Sequence, residues 1–201
     1  MQRHISVNLG NLILSLSEAM DLASPQLTQH QQRTAFIVWE MAKTAHLSNE
    51  RLEKVFIAAL VHDIGTFSLE EKISLRTHEV EDIENHCIRG EILLSTIPWL
   101  KDAAKIVRSH HKEWQYWKES IENSIVLESQ ILFLADYLER KIKRETYILH
   151  QHEDIISQIK SLTGAYVHLR IVDLFLEVAY REEFWLDIVS PRLYSILLNE
   201  G

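Results

Sequence analysis

Apolar residues along this chain recur mostly at three- and four-residue intervals, the period of one helix face, and no alternating run bounded by turn residues suggests a hairpin. Residues 11–22 read as an apolar opening helix, and Ser24-Pro25 marks a break after it. The second helix carries His30 in its early turn and an apolar stripe that includes Phe36, Ile37, Val38 and Met41. A third is expected from about Ser48 to Ile64, with Ser48 and Asn49 as capping candidates and Gly65 as terminator, which places His62 and Asp63 at its C-terminal end. Residues 66–78 read as a loop and 79–96 as a helix bearing His86, with Gly90 four residues on along the same face. Pro98 starts the next helix, which runs to the doublet His110-His111. The polar, aromatic stretch 112–124 is a loop or short helix, 125–147 a helix with Asp136, and two or three supporting helices follow from Glu153 to Leu198. The fold class predicted is all-α, a compact helical bundle.

Composition narrows this further. With 201 residues, 46% of them hydrophobic, the chain can bury a sizeable core, and nothing resembles a linker, so one domain is expected over 1–201. Its core falls at about 20–150 and its supporting C-terminal helices at about 151–201. Five glycines and three prolines leave little room for anything but helices. A formal charge of -8 argues against an extended nucleic-acid surface, which needs an excess of Lys and Arg on one face. The single cysteine, Cys87, excludes an internal disulfide and reads as a packed residue in a reducing compartment. No run is long and apolar enough for a membrane span and the first residues lack the plan of a secretory signal, so a cytoplasmic location is expected.

Candidate chemistry lies in the order of histidines and aspartates. His30, His62, Asp63, His86, His110, His111 and Asp136 are imidazole and carboxylate groups, the ligand types suited to iron, manganese, zinc or nickel. A lone histidine on an apolar face is usually a hydrogen-bonded core residue, and of the eleven histidines His4, His46, His78, His150, His152 and His168 read as surface residues. The joint pattern is different, because Asp63 follows FIAALVH and Asp136 follows ILFLA. A carboxylate in such apolar surroundings is costly unless paired, and cations remove that cost. Seven ligands, with one carboxylate placed to bridge, suffice for two ions, and two ions suit hydrolysis of a phosphate ester. Arg140, Lys141, Lys143 and Arg144 follow Asp136 by one to two helical turns, so Arg140 and Arg144 are candidates for an anionic substrate. Trp114, Tyr116 and Trp117 can stack on a base or pack their loop onto the body.

Residues 20–180 resemble the HD superfamily of metal-dependent phosphohydrolases, and within it the HD-GYP branch, known for hydrolysing cyclic di-GMP. The elements that carry the resemblance are SPQLTQHQQR, AALVHDIG, HCIRGEILL, IVRSHH and ILFLADYLE, in that order, with SLTGAYVHLRIVDLFLEV similar to the closing segment. The resemblance implies two divalent ions, iron or manganese first, with zinc, nickel or magnesium as alternatives. It implies that one binds His30, His62 and Asp136, that the second binds His86, His110 and His111, and that Asp63 bridges them. The implied partner is a cyclic dinucleotide or another phosphorylated small molecule, and fusion to, or interaction with, signalling domains fits such a domain.

The chain also departs from that pattern. Thr66 follows HDIG where active members have a lysine available to the phosphate or the leaving group. KEWQYWKES stands where ExxxDGxGYP is usual, with Lys112 in place of the glutamate and as a candidate phosphate contact. Gln26 replaces the glutamate that supports a third ion in some members, and Glu139 replaces the second acid of DxxD. Three functions follow: a dinuclear phosphohydrolase with Asp63 and Thr66 at its catalytic centre, a signalling module of the same fold with weak or no turnover, and a di-iron oxygenase of similar ligand set. The polar loop and basic cluster favour a phosphate ligand over the last.

Overall fold

The structure is a computed structural model that describes residues 9–22, 28–68, 70–71, 74 and 84–200. Ten α-helices are formed among the described residues: α1 (Leu9–Asp21), α2 (His30–Thr44), α3 (Asn49–Leu60), α4 (Glu84–Ser95), α5 (Lys101–Ser109), α6 (Ser124–Lys141), α7 (His152–Ser161), α8 (Leu169–Ala179), α9 (Glu182–Ile188) and α10 (Leu193–Glu200). Short 3-10 turns at Pro98–Leu100, Trp114–Tyr116 and Ile148–His150 join some of them. No strand occurs among the described residues beyond an isolated bridge between Thr163 and Val167. No helix among them is long and apolar enough to cross a membrane.

The bundle is organised on α2. It packs against α1, α3, α6, α8, α9 and α10, and its sequence HQQRTAFIVWEMAKT is buried around most of its circumference. Ala35, Ile37, Val38, Met41 and Ala42 are inaccessible to solvent. A helix buried on all sides exposes its first turn to no water, so that turn's N–H groups need partners from the protein. Gln29 takes a left-handed backbone and gives no side-chain cap; instead both carboxylate oxygens of Asp21, at the end of α1, accept from the Gln31 N–H at 3.0 and 3.3 Å. That contact fixes the start of α2, and His30 with it.

Several boundaries differ from the sequence expectation, each for a local reason. The third helix ends at Leu60, so His62 and Asp63 stand on a turn after it rather than on the helix. The turn is needed because Gly65 lies directly against α4: a side chain there would run into the His86 carbonyl oxygen and the Gly90 amide nitrogen. Helix α6 stops at Lys141 rather than 147, since the Gln151 side chain binds the backbone of Lys143 and the carbonyl of Thr146, giving the chain a non-helical set of partners. The C-terminal third forms four helices from residue 152 onward instead of two or three. Gly164 at φ 92 turns the chain after α7, the His168 side chain accepts from the Arg170 N–H to start α8, and Pro191 separates α9 from α10. His168 and His152 are thus part-buried structural residues rather than surface ones, the latter bonded to the Leu149 carbonyl, whereas His46 and His150 are exposed. Ser24-Pro25, Gln26, His4, His78 and most of the 66–78 loop lie outside the described residues.

Gly65→Ala is expected to cost about 3 kcal/mol, the upper end of the usual range for forcing atoms into a filled interior, because the atoms met are backbone. Urea denaturation of the variant and the wild type measures it; equal midpoints would mean that α4 does not dock as closely as described.

Candidate metal centre

Five segments bring the seven ligand-type side chains together. His30 comes from the first turn of α2, His62 and Asp63 from the turn after α3, His86 from α4, His110 and His111 from the end of α5, and Asp136 from the middle of α6. All are buried except His111, which is half-buried. The imidazole rings form a chain: His30 to His62 at 5.2 Å between centroids, His62 to His110 at 5.3 Å, His110 to His86 at 5.1 Å and His86 to His111 at 5.0 Å.

The carboxylates sit inside this chain. Asp63 Oδ2 lies 3.4 Å from His30 Nε2 and 3.5 Å from His62 Nε2, while its other oxygen lies 3.8 Å from His86 Nε2. Asp136 Oδ1 lies 3.6 Å from His30 Nε2 and 3.7 Å from His62 Nε2. Asp63 is therefore the carboxylate whose two oxygens face different histidine groups. These gaps exceed hydrogen-bond length. Ligand atoms about 2.1 Å from a common ion sit about 3.0–3.5 Å apart, so most of the spacings are close to those of donors around a cation.

Protonation and tautomer point the same way. Three imidazoles use Nδ1 for the protein: His62 on the Ala59 carbonyl at 2.8 Å, His110 on the Val107 carbonyl at 2.6 Å and His30 on Glu139 Oε2 at 2.5 Å. With Nδ1–H donating outward, the neutral His110 presents its Nε2 lone pair to the centre, the usual arrangement of a histidine ligand. Burial opposes the charge on His30 and His62, but Glu139, Asp63 and Asp136 outweigh it, so in the metal-free protein a proton on each Nε2 occupies the place that a cation would take. His62 Nε2 is fully buried with no hydrogen-bond partner, a cost that a cation would remove. The chemistry of the donor set thus fits a metal.

Burial favours the neutral form of His110, whose pKa falls to about 3, with His86 and His62 adding to the effect. Burial likewise lowers His86, and burial together with His110 lowers His111. His30 is the opposite case: burial alone would lower it, but Glu139 and Asp63 outweigh that and raise it to about 10. Burial also works against the charge on both aspartates, yet His62 and His30 hold Asp63, and Arg140 and His62 hold Asp136, well below the usual carboxylate range. The Cys87 thiol is pushed up to about 12 by burial, with Asp63 adding to the rise.

The remaining sequence candidates fall into two groups. Arg140 and Arg144 are directed at carboxylates of the centre: Arg140 to Asp136 Oδ2 at 2.9 Å, and Arg144 to Glu139 Oε1 at 2.8 Å. Thr66 donates its hydroxyl to the Asp63 carbonyl at 2.8 Å and closes the turn that presents Asp63. Lys112, by contrast, lines a cavity of about 540 Å³ beside the doublet, with Glu84, Cys87, Arg108, His111 and Tyr116 in its wall. Tyr116 is 65% exposed there, whereas Trp114 and Trp117 pack onto the core, Trp117 under the Lys112 ammonium at 4.1 Å. Gln31, which donates to Asp63 Oδ2 at 3.2 Å, was not a sequence candidate; its only signal is that it neighbours His30. Glu139 was noted only as a substitution, although its place three residues after Asp136 sets it on the same helix face.

The HD-domain family profile matches residues 15–162, and the chain belongs to that metal-dependent family. The 3'3'-cGAMP-specific phosphodiesterase 1 of Vibrio cholerae is 24% identical over 199 residues, covering 95% of this chain and 46% of that protein. The cyclic di-GMP phosphodiesterase of Thermotoga maritima is 26% identical over 174 residues, covering 81% of this chain and 46% of that protein. The chain thus spans about half the length of these relatives. A crystal structure of a cyclic GMP-AMP specific phosphodiesterase from V. cholerae shares the fold with a TM-score of 0.73 at 17% identity, over 96% of this chain and 54% of that one.

Two outcomes are expected. Glu139→Ala frees His30 Nδ1 from its orienting partner and should weaken metal binding on the order of ten- to a hundredfold, with Glu139→Gln intermediate, as read by competition with a chelator. A metal-free preparation should lose thermal stability between pH 7 and pH 5. Unfolded histidines take up protons near pH 6.5, while folded His86, His110 and His111 refuse them and His30 and His62 already hold theirs, so once the pH is below about 6.5 three groups favour the unfolded state and the opposing pair is spent. A flat profile over that interval would contradict the neutral assignment of these three residues.

Proposed function

We propose that this chain is a dinuclear, metal-dependent phosphodiesterase domain acting on a cyclic dinucleotide. The observation that carries the proposal is the convergence of five imidazoles and two carboxylates in one largely buried cluster beside an open cavity whose wall includes Arg108 and Lys112 as well as Glu84 and Glu113. His30, His62 and Asp136 are assigned to one ion, His86, His110 and His111 to the other, and Asp63 to both. Iron or manganese suits this nitrogen- and oxygen-rich set, with zinc, nickel or magnesium as alternatives. When bound, a pair of divalent cations lowers the pKa of water and draws charge from a phosphoryl group. Arg140 and Glu139 orient Asp136 and His30, and Arg144 holds Glu139. Lys112 is assigned to a substrate phosphate, and the exposed Tyr116 ring is available to a nucleobase. The phosphodiesterase names of the relatives support the substrate class, and their greater length fits a domain that works joined to others.

A second reading, a signalling module that binds without efficient turnover, is favoured by one observation. Thr66 spends its hydroxyl on the Asp63 carbonyl and supplies no cation to the transferring phosphate.

Metal analysis paired with turnover separates the two. The wild type is expected to carry two ions per chain and to hydrolyse cyclic di-GMP or 3'3'-cGAMP, and Asp63→Ala to lose both ions and all turnover. Thr66→Lys should raise the rate about ten- to a thousandfold at unchanged metal content by returning a cation to the phosphate. Full metal content with no hydrolysis of either dinucleotide by wild type or Thr66→Lys would leave the binding module as the function.

A further inference from the structure

We propose that Cys87 is a metal ligand, giving the His86, His110 and His111 half of the centre a sulfur donor and a preference for zinc. Its Sγ lies 3.6 Å from His86 Nε2, and His86 Nε2 lies 3.3 Å from His110 Nε2. At near-tetrahedral angles, metal–nitrogen bonds of about 2.05 Å and a metal–sulfur bond of about 2.3 Å give nitrogen–nitrogen edges of about 3.3 Å and nitrogen–sulfur edges of about 3.6 Å. Both observed spacings match those edges; the third, 3.6 Å from Sγ to His110, is to Nδ1, so the Cys87 side chain joins the ion by shifting toward the Nε2 side of that ring. One ligand atom from each of His86, Cys87, His110 and His111 falls within 4.8 Å of the others, and the bridging Asp63 makes a fifth donor. The independent sign that the cluster takes a cation is the buried, unpartnered Nε2 of His62, whose ring stands 5.3 Å from that of His110.

The position of Cys87 allows this because adjacent helical residues point about 100° apart, so His86 and Cys87 can reach one ion from two sides. His111 and Cys87 both line the cavity, which opens a path for the ion and for the thiol proton that it displaces to solvent. Thiolate is a soft donor that zinc, cobalt and cadmium accept readily and that manganese and magnesium accept poorly. The other half, His30, His62 and Asp136, has no sulfur, so the two halves differ in their choice of metal.

The assignment rests on reading His86, His110 and His111 as ligands of one ion, and the test separates the two claims. Metal-free protein comprising all 201 residues is titrated with cobalt(II). The wild type is expected to develop the near-ultraviolet charge-transfer band of a sulfur–cobalt bond together with visible ligand-field bands; Cys87→Ser should keep the visible bands and lose the ultraviolet one. Zinc affinity should fall on the order of ten- to a hundredfold in Cys87→Ser while manganese affinity changes by less than about twofold. X-ray absorption at the zinc edge of the unmutated protein gives the same answer without relying on the variant's folding: a sulfur scatterer at about 2.3 Å is expected. Cobalt or zinc bound with nitrogen and oxygen neighbours alone overturns the Cys87 assignment and leaves the histidine site intact. No binding by either metal overturns both.

Discussion

Two carboxylates buried among aliphatic helices are the constraint on which the rest of this molecule depends. Asp63 and Asp136 are each almost fully enclosed, and an unpaired charge in that setting would be neutralised or would unfold its surroundings. Everything around them answers that charge: imidazole nitrogens on every side, the Arg140 guanidinium on Asp136 and the Gln31 amide on Asp63. The same arrangement leaves lone pairs facing inward that the protein alone does not satisfy. Cations held there would answer both the buried charge and the unpartnered His62 Nε2, so stability and chemistry would share one set of atoms.

A second ring of contacts holds the first. Glu139 fixes the His30 ring, Arg144 fixes Glu139, backbone carbonyls of Ala59 and Val107 fix His62 and His110, and Asp21 fixes the start of the helix from which His30 projects. Each of these partners is one helical turn or one packed helix away from its ligand. Orientation is thus transmitted over short, dry paths, where a hydrogen bond is stronger than in water. Arg140 and Arg144 belong to this ring through their ion pairs with Asp136 and Glu139.

The convergence of His30, His62, Asp63, His86, His110, His111 and Asp136 was legible in the sequence because each sits in a short motif next to an apolar run, and spacing within a helix determines which face it shares. The all-helical class was legible from periodicity and from the scarcity of glycine. Helix ends were not. The third helix stops before His62 because Gly65 must meet α4, a contact between segments that local propensity does not encode. The last turn expected of α6 is replaced by a loop bound to Gln151, ten residues beyond the helix's last residue. Cys87 is packed as its sequence suggested, but its approach to His110 at 3.6 Å, 23 positions away, was not legible for the same reason. Side-chain direction across packed helices is a property of the assembled bundle.

The clustered side chains come from two packed parts of the bundle, with α5 resting on both α3 and α6. His30, His62, Asp63 and Asp136 belong to the central body built on α2, α3 and α6, whereas His86, His110 and His111 ride on the α4–α5 pair, whose close approach to the turn bearing Asp63 runs through Gly65. Asp63 faces both parts, one oxygen to each. By thermodynamic reciprocity, a cation held on one side that draws Asp63 into place would strengthen binding on the other by an equal factor.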